Sequence, residues 1–192
     1  EMGVLRRRIS ASQFDCYQFR YRSLSHTPRQ SALRLDAFLK GLDADIIHLV
    51  AHSLGGMVVL HLFEQDPVQM PGRVLMMGTP INGCALARRL YRGPLRLLLG
   101  QSIQRGLLGD APPWAGGREL GMIAGNRGFG VGALLLGGLE RPADGTIALS
   151  ETWSRVIDAH LTVPYSHMGM LMSSQVAQLA CRFLRLRDFS HE

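Results

Sequence analysis

The sequence has few cysteines, few aromatic residues and no long apolar run. Its 192 residues include three cysteines that are far apart and odd in number: Cys16, Cys84 and Cys181. They match no metal-ligand spacing and predict no disulfide framework, so a reducing compartment, by default the cytoplasm, is expected. No apolar run reaches the roughly 20 residues of a membrane-spanning helix. These scarcities argue against a disulfide-stapled scaffold and against a transmembrane helix.

The net charge of +6 comes almost wholly from arginine. The arginines occur as pairs and triplets and not as one stripe interleaved with aromatic residues, which argues against nucleic-acid binding. Peripheral contact with an anionic membrane surface, or attraction of an acidic substrate, stays open. The length and the hydrophobic content of 46% are those of a single globular domain with a substantial core.

Residues 46–63 are typical of a strand, a sharp turn and a helix. Residues 46–51 are an apolar run of strand length, and residues 54–63 are apolar all round, as in a buried helix. Ser53 lies at the turn, where strand and helix crowd each other. Small residues surround it: Ala51, Gly55 and Gly56. This is A-x-S-x-G, a variant of the nucleophile elbow that lifts a strained serine above the sheet. The alternative is an ordinary junction with an N-cap serine.

Other segments continue the alternation of strands and helices. We predict helices over residues 2–10, from the capping residue Thr27 to about Gly41, and from Met168 to Leu186; further strands are predicted over 14–21, 74–77, 120–124 and 159–163. Residues 126–145 are expected to form a long glycine-rich loop. The alternation predicts an α/β fold, a mainly parallel sheet with helices on both faces.

Two motifs carry a resemblance to a known family. Ala51-His52-Ser53-Leu54-Gly55-Gly56 resembles the elbow of small bacterial lipases and esterases of the α/β-hydrolase superfamily. Gly78-Thr79-Pro80-Ile81-Asn82-Gly83, directly after a predicted strand, resembles the G-T-P-x-x-G turn of lipase-like hydrolases. The resemblance implies an α/β-hydrolase fold and hydrolysis of a small-molecule or lipid ester through an acyl-enzyme. It implies no metal and no organic cofactor, and it leaves the oligomeric state open.

A serine hydroxyl needs a base, and the base needs an acid that fixes its tautomer. In this fold the acid and then the histidine follow the serine along the chain. Asp144 and His167 resemble the family's acid and histidine, although an Asp-Gly turn and a helix cap are the plain alternatives. Glu140 is the reserve acid. Asp158 and His160 begin the last strand, the wrong end of a parallel sheet for an active site.

The remaining candidates concern the oxyanion and a lid. The amide of Leu54 is the expected first oxyanion donor. In the family a second donor comes from a loop after an earlier strand, commonly with His-Gly, and no such loop is present here. We therefore expect an N-terminally truncated chain that lacks its first strands, hydrolyses esters poorly or not at all, and could have lost an export signal.

Within the single domain of residues 1–192, a leucine- and arginine-rich lid or cap is expected at about residues 85–117. A pair of surface helices broken at Gly93-Pro94 is the alternative for this segment. Two other functions also remain open. The same triad could serve acyl transfer or thioester hydrolysis, or the chain could be a non-catalytic α/β-hydrolase-like binding module.

Overall fold

Four strands form one parallel sheet in the computed structural model, which describes residues 2–128 and 140–190, and only the backbone of residues 95–98. The strands are β1 (Leu49–His52), β2 (Val74–Met77), β3 (Leu120–Gly125) and β4 (Ala159–Val163). Their order is β1-β2-β3-β4, and each neighbouring pair is parallel. The predicted parallel α/β sheet is confirmed. Residues 129–139 of the predicted glycine-rich loop lie outside the described residues.

Six α-helices and two 3₁₀ segments accompany the described strands. The α-helices are α1 (Gly3–Ser10), α2 (Pro28–Lys40), α3 (Leu54–Gln65), α4 (Ala85–Arg92), α5 (Gly169–Met172) and α6 (Ser174–Leu186), and the 3₁₀ segments are Pro94–Ile103 and Leu149–Thr152. The predicted capping box opens α2, because the Thr27 hydroxyl accepts from the Gln30 amide at 3.2 Å and the Gln30 side chain accepts from the Thr27 amide at 3.0 Å. No helix in the described ranges has the length and hydropathy needed to cross a bilayer.

Alternate residues of β1, β2 and β3 face two separate hydrophobic clusters, as the period-two geometry of a strand requires. Val74 and Met76 of β2 pack in the cluster that contains α2 and α3, whereas Leu75 and Met77 pack in the cluster that contains α1, α5 and α6. Helices thus cover both faces of the sheet. Because all four strands are parallel, their carboxyl ends lie along one edge, where the loops that carry the candidate site residues begin.

The prediction of a strand over residues 14–21 is wrong. These residues have no regular secondary structure and form no ladder with any described strand. Phe14 lies edge-on to His48 in one cluster, Phe19 and Tyr21 pack against the other, and Tyr17 is 65% exposed. The aromatic residues alternate along the sequence because they pack in different surroundings. The same alternation is typical of a strand, but in the part of the chain that the structure describes no neighbouring strand is present to form hydrogen bonds with the segment.

Two element boundaries also differ from the prediction. The strand expected at residue 46 begins at Leu49, and Ile46 is 62% exposed. The last helix is divided at Ser173, whose extended backbone (φ −83°, ψ 130°) ends α5 and whose hydroxyl accepts from the Val176 amide to cap α6. Met168 and Met172, at helical spacing from the apolar residues of α6, are exposed. The apolar spacing runs through the break, so periodicity alone does not reveal the cap.

Candidate active site

Ser53 lies at a strained junction between β1 and α3. Its backbone has φ 53° and ψ −121°, a region that non-glycine residues rarely occupy and that costs on the order of 1–3 kcal/mol. The Ser53 side chain accepts no hydrogen bond from α3, so the plain N-cap reading is not supported. The Ser53 amide donates to the Met77 carbonyl at 2.9 Å, which extends the pairing of β1 with β2 into the turn. Ser53 therefore has the backbone of an elbow residue and not of a helix cap.

The crowding at this junction falls on Gly56 more than on Gly55. A β-carbon at Gly56 would overlap the side chain of Thr79 and lie 2.8 Å from its β-carbon, whereas a β-carbon at Gly55 would lie 3.6 Å from that of Ala51, an ordinary contact. The Thr79 hydroxyl also donates to the Ser53 carbonyl oxygen at 3.0 Å. The side chain of Thr79, in the G-T-P turn, thus leaves room only for glycine at position 56. At position 55 there is room for a β-carbon.

Asp144 and His167 are hydrogen-bonded to each other. The Nδ1 atom of His167 lies 2.6 Å from Oδ2 of Asp144, and the two residues are 8% and 2% exposed. A carboxylate accepts, so Nδ1 of His167 carries the proton and Nε2 is left as the basic nitrogen. The structure therefore brings together two of the sequence-predicted site residues in the arrangement that fixes an imidazole's tautomer.

The loop around Asp144 is built to hold this carboxylate. Its other oxygen, Oδ1, accepts from the amides of Thr146 and Ile147 at 2.9 and 2.7 Å. Gly125, at the end of β3, makes room for the loop, because a β-carbon there would lie 2.8 Å from that of Asp144. Asp144 is a turn residue, as the plain alternative has it, and the same turn aims its second oxygen at His167.

His167 lies beside the two chain segments that flank Ser53. Gly78, directly after β2 and at φ 55°, would place a β-carbon 3.0 Å from Nδ1 of His167, so the imidazole packs against the backbone there. On the other side, the rings of His52 and His167 have centroids 4.5 Å apart. These contacts place the His167 ring beside His52, which precedes Ser53, and beside Gly78, which follows Met77, the residue hydrogen-bonded to the Ser53 amide.

The first helical residue, Leu54, is the expected oxyanion donor. Amides in the first turn of a helix have no acceptor within the helix, and the helix dipole makes this end positive. The Leu54 amide opens α3 directly after Ser53. An anion formed on a group attached to Ser53 would therefore lie near a positive helix end.

The rival candidates lie elsewhere. Asp158 accepts from the Leu120 amide at 2.8 Å and His160 contacts the Thr152 hydroxyl at 3.0 Å, both near the amino-terminal ends of β3 and β4. Glu140, the reserve acid, is exposed and accepts from Ser150. Burial raises the pKa of the Cys84 thiol to about 11, so it stays protonated at neutral pH and is no nucleophile.

Two further features of the described residues concern possible ligands: clusters of metal-binding side chains and a cleft. No group of three or more His, Cys, Asp or Glu side chains with metal-site geometry occurs within residues 2–128 and 140–190. A cleft of about 500 Å³ is lined by residues that include Phe14, His48 and Arg73, before the first residues of β1 and β2. It lies at the opposite end of the strands from Ser53.

Sequence reasoning missed three residues of this neighbourhood. The sequence predicts Gly78 and Thr79 only as residues of a turn, and it assigns His52 no role in the site. The sequence holds one usable signal, since a Gly-Thr pair directly after a buried strand places both residues at the sheet edge that carries Ser53. No pattern reveals the contact of His52 with a residue 115 positions away.

The architecture is shared with solved structures, although neither a protein-family model nor a curated protein matches the sequence. Phospholipase PlaB from Legionella pneumophila superposes with a TM-score of 0.74 at 15% identity, over 97% of this chain and 56% of that one. The mature lipase BlEst2 of Bacillus licheniformis gives 0.65 at 18% identity, over 84% and 75%. The α/β-hydrolase MGS-MChE2 from a lagoon-sediment metagenome gives 0.55 at 16%, over 87% and 74%.

These matches, with the parallel sheet and the strained serine after β1, define the class: the chain has the α/β-hydrolase fold. The chain spans little more than half the length of the phospholipase and about three quarters of the other two. At such low identity the likeness establishes the fold. What the chain does has to be argued from its own residues.

Proposed function

We propose that this protein is a serine hydrolase that cleaves carboxylic esters through an acyl-enzyme, with Ser53 as nucleophile, His167 as base and Asp144 as the acid that orients it. The observation that carries the proposal is the 2.6 Å hydrogen bond between the buried Asp144 carboxylate and Nδ1 of His167. A buried carboxylate on Nδ1 leaves Nε2 as the proton acceptor, the tautomer that a serine nucleophile requires.

In the proposed reaction His167 Nε2 takes the Ser53 proton as Oγ attacks the ester carbonyl. The tetrahedral intermediate collapses to an acyl-Ser53, and the proton passes from His167 to the departing alkoxide. Water then attacks the acyl group with His167 again as base, which releases the acid and restores the serine. The Leu54 amide would stabilise the oxyanion in both steps. Asp144 keeps its charge throughout and offsets that of the imidazolium.

The structural neighbours include a lipase and a phospholipase, and this supports an ester as the proposed substrate class. The lid over residues 85–117 remains part of the proposal. In that segment α4 and the 3₁₀ segment Pro94–Ile103 meet at Gly93, where the break was predicted. A cationic, leucine-rich cover would suit an acyl chain or an anionic membrane surface.

A fluorophosphonate probe tests the proposal, because it reacts covalently only with an activated serine. We expect the wild type to be labelled and Ser53→Ala not to be labelled, with Ser25→Ala, at an exposed serine outside the site, labelled as the wild type is. Equal labelling of the wild type and Ser53→Ala would contradict the proposal. No labelling of either would favour the non-catalytic binding module.

A series of esters and matched thioesters, offered with and without an alcohol acceptor, identifies the reaction. Faster turnover of the esters, with the free acid as product, supports ester hydrolysis. Preference for thioesters, or transfer of the acyl group to the alcohol, would instead assign the same triad to thioester hydrolysis or acyl transfer.

A further inference from the structure

The imidazole of His52 contacts the peptide carbonyl of His167. Its Nε2 atom lies 3.1 Å from that oxygen, and the two imidazole centroids are 4.5 Å apart at an interplanar angle of 44°. His52 is the last residue of β1, so its backbone is held by the sheet. The contact therefore joins a rigid strand to the loop that carries His167.

The partner atom fixes which nitrogen of His52 is protonated. A carbonyl oxygen only accepts, so Nε2 must donate, and the neutral ring then has a bare Nδ1. Burial and the adjacent His167 ring lower the pKa of His52 to about 4, against smaller opposing effects of the hydrogen bond to the His167 carbonyl and of the Asp144 charge. At neutral pH His52 is thus an uncharged donor that adds no second positive charge beside an imidazolium.

His167 is anchored at three points, and two of them come from Asp144. Its amide donates to the Asp144 carbonyl oxygen at 2.9 Å, its Nδ1 donates to the Asp144 carboxylate, and its carbonyl oxygen accepts from His52. The two anchors from Asp144 belong to one loop. The hydrogen bond from His52 fixes His167 relative to β1, the strand that ends directly before Ser53.

We propose that His52 is a positioning residue for the His167 base, and that it does so by donating a hydrogen bond from Nε2 to the His167 carbonyl. This inference rests on the proposed function, since it assigns a role in the same reaction. It also explains why a histidine, and not an apolar residue, precedes the elbow serine. Misplacing a base by about 1 Å can cost on the order of 100-fold in rate, so an anchor of this kind has a measurable effect.

The first test uses the wild-type protein and no activity. Nitrogen-15 NMR of the histidine rings at pH 7 should show His52 as the neutral tautomer with the proton on Nε2. That proton should exchange slowly with water and should show a nuclear Overhauser effect to residue 167. A proton on Nδ1, or a rapidly exchanging Nε2 proton, would overturn the proposal whether or not any variant folds.

The second test compares two substitutions of similar size. His52→Leu removes the donor, and His52→Gln keeps an N–H at a similar reach. For fluorophosphonate labelling of Ser53 we expect the maximal rate constant to fall about 10- to 100-fold in His52→Leu. The probe concentration that gives half of this maximal rate should change little. In His52→Gln the maximal rate constant should return largely to the wild-type value. In His52→Leu the pH profile of labelling should also shift relative to the wild type.

The outcomes separate this inference from the proposed function. Labelling of the wild type together with unchanged rates in a folded His52→Leu variant would overturn the inference alone. A His52→Gln variant no faster than His52→Leu would also overturn it, because packing without the hydrogen bond would then explain the effect. No Ser53-dependent labelling of the wild type would overturn the proposed function, and the positioning role with it.

Discussion

The hydroxyl of Thr79 donates a 3.0 Å hydrogen bond to the carbonyl oxygen of Ser53, 26 residues earlier in the chain. The same side chain fills the space that a β-carbon at position 56 would need. The turn after β2 is therefore part of the elbow and not only its neighbour. Ser53 keeps an unfavourable backbone conformation because its amide donates to Met77 and its carbonyl oxygen accepts from Thr79 and Gly56.

Replacing the two elbow glycines by alanine should have opposite effects. Gly56→Ala would press a methyl group into Thr79 and should lower the free energy of unfolding by about 1–3 kcal/mol. Gly55→Ala is the matched control, since its methyl group would lie 3.6 Å from that of Ala51 and alanine favours a helix over glycine by up to about 1 kcal/mol. Urea denaturation of both variants measures the difference. Equal destabilisation would contradict the assignment of the crowding to position 56.

Valine has nearly the shape of threonine, so Thr79→Val removes the Thr79 hydroxyl with little change in packing. Thr79→Val should lower the free energy of unfolding by about 1 kcal/mol, near the net value of one hydrogen bond, because the Ser53 carbonyl also accepts from the Gly56 amide at 3.0 Å. Thr79→Ser retains the hydroxyl and loses only a methyl group that contacts Gly56. If denaturation shows Thr79→Val to be as stable as the wild type, the hydrogen bond contributes nothing to the elbow.

What could be predicted from the sequence was local. The capping box at Thr27, the buried strand of β2 and the order of Ser53, Asp144 and His167 are properties of short segments. Residue types at fixed spacing report such properties directly. Each of the three candidates also follows a strand, and parallel strands place such loops at one edge of a sheet.

What could not be predicted depends on contacts between distant residues. The aromatic alternation over residues 14–21 reports the environments of side chains and says nothing of whether a strand partner exists. The apolar spacing on either side of Ser173 is continuous, so the cap that divides the last helix was hidden. The hydrogen bond from His52 to residue 167 has no sequence signature, because it depends on how a loop packs against a strand.

Asp144→Asn should nearly abolish activity while leaving the fold intact. The asparagine oxygen can still accept from the Thr146 and Ile147 amides, but its NH₂ group faces Nδ1 of His167 and favours the wrong tautomer. A loss of about 10,000-fold in kcat is expected by analogy with other triads. Glu140→Gln, at the exposed reserve acid, should retain full activity. If ester hydrolysis depends on Glu140 and not on Asp144, the acid has been misassigned.

Acid should destabilise the protein partly through His52. Its pKa is lowered from 6.5 to about 4 in the folded state, first by burial and then by the neighbouring His167. Below pH 6.5 the unfolded chain binds a proton that the folded chain does not, so stability is fully present above pH 6.5 and falls toward pH 4. The shift corresponds to a loss of roughly 3 kcal/mol over that window.

His52→Gln removes the titrating group, so its free energy of unfolding should decline less steeply between pH 6.5 and 4 than that of the wild type. Urea denaturation at half-unit pH steps measures both slopes. Burial also lowers the pKa values of His48 and His160, but these residues are common to both proteins and cancel in the difference. Parallel stability curves would mean that burial does not lower the pKa of His52 in the folded state.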